Sequence, residues 1–252
     1  MSLQPEAPTA AAALSPSLSL AGRFAAIFAR PAEAWTGLER RHQWWFPLVI
    51  MTIFSVLMMV TLYQRALLPD LANQWEAQVE AGAMQPEQVD RAEAMMSGWQ
   101  VRAITCVAVA ASMAVFTLFY ALVMSFGVGF ILGGKLPFRL AFEVATWSGL
   151  VKLVELPIHF ALAWSQESLK GVHLSLAALL PVADPPAKWH TMLTVFLDAV
   201  GPFNIWFVVV AVLGCSALSG APRRNVAWVL GGLAFALAVI TALLTGWLSP
   251  SA

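Results

Sequence analysis

Five apolar runs, each about long enough to cross a bilayer, constrain this chain more than any other feature. A hydrocarbon layer about 30 Å thick takes roughly 20 mostly apolar residues of helix. The runs cover about Phe46–Leu68, Val101–Leu132, Leu140–Trp164, Thr194–Leu218 and Val226–Leu248. They are continuously apolar and lack the alternation of a strand facing a lumen. Backbone in lipid must satisfy its own polar groups, so such runs are expected as helices. The second exceeds the bilayer's requirement and is expected to tilt or protrude. The predicted fold class is therefore all-α: a polytopic membrane protein, a bundle of about five transmembrane helices with short surface helices. Composition agrees, because only 11% of the residues are charged, against about 25% in soluble domains.

The charges outside the runs predict an orientation. Arg23, Arg30, Arg40 and Arg41 precede the first run, Lys135 and Arg139 lie between the second and third, and Arg223 and Arg224 between the fourth and fifth. Basic connections stay cytoplasmic. The first-to-second loop instead carries Asp70, Glu76, Glu80, Glu87, Asp90 and Glu93, which predicts the opposite side. The expected organisation is a disordered cytoplasmic tail over 1–19, an amphipathic interfacial segment over 20–45, a five-span membrane domain over 46–248 with an outer acidic loop over 69–100, and an external tail over 249–252. The amino-terminal stretch has no basic region ahead of an apolar core and is not expected to be a cleaved signal peptide.

In the interfacial segment, Leu20, Phe24, Ile27, Phe28, Trp35 and Leu38 recur at near-helical intervals, which fits a helix lying flat on the inner leaflet and broken at Pro31. The outer loop has good helix formers split by Pro86 and predicts a surface helical hairpin. The third-to-fourth loop, about 165–193, contains the apolar patch Leu174–Leu180 followed by Pro181, Pro185 and Pro186, and is expected to be half-buried or re-entrant. Cys106 and Cys215 fall in apolar runs near opposite membrane faces, too far apart for a disulfide.

The most informative side chains are polar groups at membrane depth. Lys152, Glu155 and His159 are three and four residues apart and so share one helix face. The fourth run adds Asp198 and Asn204, with Gly201 and Pro202 between them inviting a kink. Ionisable groups there cost roughly 2.5–3.5 kcal/mol each on insertion scales, so they pair, face the bundle interior and often mark function. Two readings are open: a proton or ion relay or headgroup-binding cavity, and an internal salt bridge that fixes helix register. Gly129 and Gly133 form a GxxxG pair at the end of the second run, suited to an internal or dimer packing contact.

Spacing gives no metal motif, no HExxH or GxSxG, and no phosphate-binding context for the glycines. No cofactor, catalytic residue or nucleic-acid partner is expected. The expected partners are membrane lipids and either a second copy of the chain or another membrane protein.

Several short segments together resemble the bacterial branch of the Yip-domain family. They are Arg30-Pro31-Ala32-Glu33-Ala34-Trp35, then Trp45-Phe46-Pro47-Leu48, the Gly133-Gly134-Lys135 turn, and Phe203-Asn204-Ile205-Trp206 leading to Gly214. The resemblance spans about residues 28 to 248 and implies a five-helix membrane domain with a cytoplasmic amino terminus in a bacterial inner membrane. Eukaryotic relatives associate with Rab-type GTPases in vesicle trafficking. That role does not transfer: the tail here is short, has no GTPase-docking sequence, and Lys152 and Glu155 stand where a mostly apolar span leading to Pro157 is expected. The leading functional expectation is a non-enzymatic scaffold or adaptor in membrane organisation. The alternative is a small transporter, channel or lipid-handling protein using the polar groups of the third and fourth spans.

Overall fold

The computed structural model describes residues 18–181 and 187–249. The tail expected over 1–19 and the end expected over 249–252 fall almost entirely outside the described residues, as do Pro185 and Pro186. Among the described residues the fold is all helical: α1 (Leu20–Ala29), α2 (Trp45–Leu62), α3 (Leu68–Glu80), α4 (Pro86–Met96), α5 (Trp99–Ser125), α6 (Phe138–Gly149), α7 (Lys152–Gln166), α8 (Lys188–Ala199), α9 (Pro202–Ser219) and α10 (Arg223–Leu248).

Among the described residues, four helices are long and apolar enough to cross a membrane: Trp45–Glu80, Trp99–Ile131, Pro202–Ser219 and Arg223–Leu248. The first of these joins α2 to α3 through a π-turn over Tyr63–Leu67, and the second prolongs α5 by another over Phe126–Ile131. Their outer faces carry Ile53, Leu57, Val107, Phe130, Leu243 and Leu244, all exposed. A row of large apolar side chains on the outside suits hydrocarbon as the solvent. This is a multi-pass integral membrane protein.

The third apolar run does not form one helix. It breaks after Gly149, where Leu150 and Val151 donate to Trp147 and Ser148 in tight three-residue turns, and it resumes as α7, which carries Pro157 inside. The fourth run begins earlier than its hydropathy indicates and breaks completely rather than kinking. Pro202 opens α9, and Gly201 before it is extended at φ −64°, ψ 163°, as the proline ring requires of its predecessor. A Cβ on Gly201 would stand 3.1 Å from the Asp198 carbonyl oxygen and from Ser175 Cβ.

Helix α6 is the centre of the bundle: Glu143, Val144, Ala145, Thr146, Trp147 and Ser148 are all buried. Around it lie α2, α5, α9 and the amino-terminal segment. The segment over 20–45 docks on the bundle through one face: Arg23, Ile27, Trp35 and Leu38 are essentially inaccessible. The helix break at Pro31 is present, α1 ending at Ala29. In the acidic loop α3 and α4 form a helical hairpin, with α4 starting at Pro86. The Leu174–Leu180 patch forms a 3-10 turn over Leu176–Leu179. There Ala177 is buried while Leu176 and Leu179 stay exposed.

Gly129 and Gly133 are not one turn apart on a helix. The π-turn stops at Ile131, and Gly133 takes φ 63° with nothing within 4 Å of a Cβ. The close approach falls on Gly127 instead, where a Cβ would lie 2.9 Å from Leu233 Cδ1 of α10. Cys106 and Cys215 are both free thiols.

Candidate binding site between two broken helices

The breaks in the third and fourth runs bring the first residues of α7 and α9 together. The Lys152 ammonium, at the start of α7, donates to Glu155 Oε2 at 2.6 Å and to Asn204 Oδ1 at 2.8 Å. Asn204 Nδ2 donates to the Asp198 carbonyl at 2.8 Å, so the amide ties α7 to the end of α8. The side chains of Lys152 and Glu155 remain 28% and 25% exposed, which leaves both accessible from a cavity. Helix starts carry partial positive charge, and paired half-helix starts at membrane depth are a recurring way to face an anionic group.

Asp198 faces another way. Its carboxylate accepts from Ser175 Oγ at 2.6 Å and pairs with His173 Nδ1 at 2.8 Å. His159 makes no side-chain hydrogen bond to another described residue, yet it lines two cavities. Lys152, Glu155 and Asn204 thus form one hydrogen-bonded group; Asp198 joins it through its carbonyl, and His159 sits beside it unbonded.

Three cavities meet here. One of about 410 Å³ is mostly apolar, lined by Met51, Phe116, Tyr120 and Phe207, with Lys152, Glu155 and His159 at its polar end. A smaller one of about 280 Å³ is polar, lined by Glu155, His159, His173, Ser175 and Asp198. The third, about 320 Å³, is apolar and runs between α5, α9 and α10 past Val123, Ala234 and Leu237. Asn204 lines all three. Among the described residues no group of three His, Cys, Asp or Glu could hold a metal ion.

Several contributors escape sequence reading. His173 and Ser175 lie in a loop, some 25 residues from Asp198, and only the folding of that loop reveals the pairing. The loop itself is anchored by Asp70, which accepts from Ser168 Oγ and the Leu169 N–H, both at 2.7 Å. Arg65 adds a 2.8 Å bond to Glu167 and lies 4.3 Å above the Trp164 ring.

A second polar cluster also went unsignalled. Arg23 Nε donates to Gln43 Oε1 at 2.9 Å, its two terminal nitrogens donate to the carbonyls of Ala34 and Thr36, and its guanidinium lies 5.7 Å from the Trp147 ring centre. The Gln43 N–H donates to Glu143 Oε1 at 2.9 Å. Burial lowers the Arg23 pKa from its ordinary value, the Glu143 charge opposes that shift, and Arg41 adds to it. A fixed fork of donors answering several acceptors is the task for which arginine, not lysine, is suited.

A helical membrane bundle built around two interrupted helices, with ionic and amide side chains at their meeting point, is the class that fold and site define. The Yip1-domain family model matches residues 25–245. The chain belongs to that family. No curated protein and no solved structure matches it.

Proposed function

We propose that this protein is a non-enzymatic membrane protein that handles an amphipathic molecule, bound where α7 meets α9. One observation carries the reading: a polar group of both charge signs, Lys152 and Glu155, stands at the end of a largely apolar cavity of about 410 Å³. Ligand pockets typically measure roughly 300–1,000 Å³ and are mostly apolar with a few convergent polar groups. A salt bridge that served only to fix helix register would gain nothing from a cavity at its side.

The test is native mass spectrometry after extraction in mild detergent. The wild-type chain is expected to retain an amphiphile, and Gly149→Leu to lose it. Gly149 lines that cavity, and a Cβ there meets nothing within 4 Å, so the added side chain fills the space without displacing backbone. Equal retention by wild type and variant would refute the placement.

A scaffold or adaptor role is a second reading, supported by the docking of the amino-terminal segment through Arg23 and Trp35, which presents Glu33, Thr36 and Arg40 at the surface. In either case the proposed setting is a bacterial inner membrane, with the amino terminus cytoplasmic and the carboxyl terminus external, as the loop charges favour.

A further inference from the structure

The arrangement of the three cavities narrows the ligand class. Tyr120 and Phe207 pack with ring centres 5.0 Å apart, and both line the two apolar cavities, one on each side of the pair. Each apolar cavity reaches Asn204, and Asn204 also borders the polar cavity. The polar chamber thus borders both apolar ones, sharing Glu155, His159 and Asn204 with the larger and Ala199 and Asn204 with the other. A molecule with one tail would occupy one apolar chamber and leave the other without a purpose.

The polar groups where the cavities adjoin carry both signs. Lys152, which lines the larger apolar cavity beside Glu155, and the start of α9 offer positive charge, while Glu155 and Asp198 in the polar cavity offer carboxylates; His159 lines both cavities without a hydrogen-bond partner among the described residues. A purely anionic headgroup would meet two carboxylates, and a purely cationic one would meet Lys152. A headgroup holding phosphate and ammonium a few atoms apart satisfies both, since phosphate pairs with ammonium and helix-start N–H groups, and ammonium with carboxylate.

We infer that the site takes a two-chain zwitterionic phospholipid, of the phosphatidylethanolamine type. Its headgroup lies between Lys152 and Asp198, and its chains pass on either side of the Tyr120–Phe207 pair. This rests on the amphiphile-binding reading above.

The experiment incubates the delipidated, purified full chain with vesicles containing equal amounts of phosphatidylethanolamine, phosphatidylglycerol and single-chain lysophosphatidylethanolamine, and reads the lipid retained by native mass spectrometry. Expected is retention of phosphatidylethanolamine about tenfold above phosphatidylglycerol, equivalent to about 1.4 kcal/mol, and at least as far above the single-chain lipid, which lacks a whole chain. The double variant Lys152→Gln with Glu155→Gln is expected to retain both two-chain lipids equally. Gly149→Leu and Ala234→Leu each block one apolar chamber and are expected to favour the single-chain form. Thermal melting of every variant verifies folding. Should a variant not fold, the wild-type ranking of the three lipids still decides.

Wild type that keeps the single-chain lipid as well as the two-chain one would overturn the two-chain assignment and leave amphiphile binding intact. Preference for phosphatidylglycerol would overturn the headgroup assignment. Retention of no lipid at all would overturn both this inference and the proposed function.

Discussion

The Trp35 indole occupies the place where a side chain at residue 214 would stand: a Cβ on Gly214 would meet Cζ2 of the ring at 2.8 Å. Trp35 is 2% exposed, so this contact pins the amino-terminal segment to the middle of α9. Gly214→Ala is expected to lower stability by about 1–3 kcal/mol, the usual cost of overpacking a filled core. Thermal unfolding in detergent would measure it. A stability equal to wild type would show that the indole can step aside.

Arg23 holds the same segment by a different means, with donors reaching Gln43, Ala34 and Thr36. Arg23→Lys keeps the charge but loses the fork. Hydrogen bonds to charged groups contribute roughly 1.5–3 kcal/mol each, so the variant is expected to lose at least one such bond. Residues around 30–42 should then be cleaved faster by protease. Cleavage in the helices of the bundle should stay unchanged.

The three glycines near the end of α5 predict a graded series. Gly127→Val is expected to be the most damaging, because the space is taken by Leu233, Val229 and Leu230 of α10. Gly133→Ala has open space but a left-handed backbone at φ 63°, which costs roughly 1–2 kcal/mol. Gly129→Ala should be mild, its nearest neighbour being 3.8 Å away. Melting temperatures of the three variants would give the order.

Asp198 restrains the loop that follows α7. Asp198→Asn should weaken its bonds to His173 and Ser175. Amide hydrogen exchange over 172–178 is expected to quicken about fivefold to tenfold, corresponding to a loss near 1–1.4 kcal/mol. Unchanged exchange would mean that the Asp70 contacts to Ser168 and Leu169 suffice.

Much of the fold is legible in the sequence because apolar length and proline position are local properties. The first two spans, expected over about 46–68 and 101–132, the α3–α4 hairpin and the break at Pro31 follow from them, whereas the continuation of the first span to Glu80 does not. The interruption at Leu150 is less legible: only a Ser148–Gly149 pair precedes it, in a run whose polar residues Glu143, Lys152, Glu155 and His159 do not mark a boundary, and local pattern does not show that other elements surround α6. Arg23 looked interfacial for a similar reason. Periodicity shows which residues share a face but not whether lipid or protein covers it. Lys152, Glu155 and Asn204 could be singled out because charge at membrane depth is rare; His173, in a polar loop, had no such contrast.

The continuous helix from Trp45 to Glu80 has 36 residues. At a rise of about 1.5 Å each, it measures on the order of 54 Å, well beyond the roughly 30 Å of hydrocarbon. Tyr63 braces its outer part by donating to the Met96 carbonyl at 2.8 Å. From Leu68, the end of the apolar run, Glu80 lies about 18 Å further along the axis. That exceeds the Debye length of about 8–10 Å at physiological salt. Glu80, at the tip of this extension, is therefore further than one Debye length along the helix axis from the end of the apolar run, which weakens its electrostatic coupling to groups buried there.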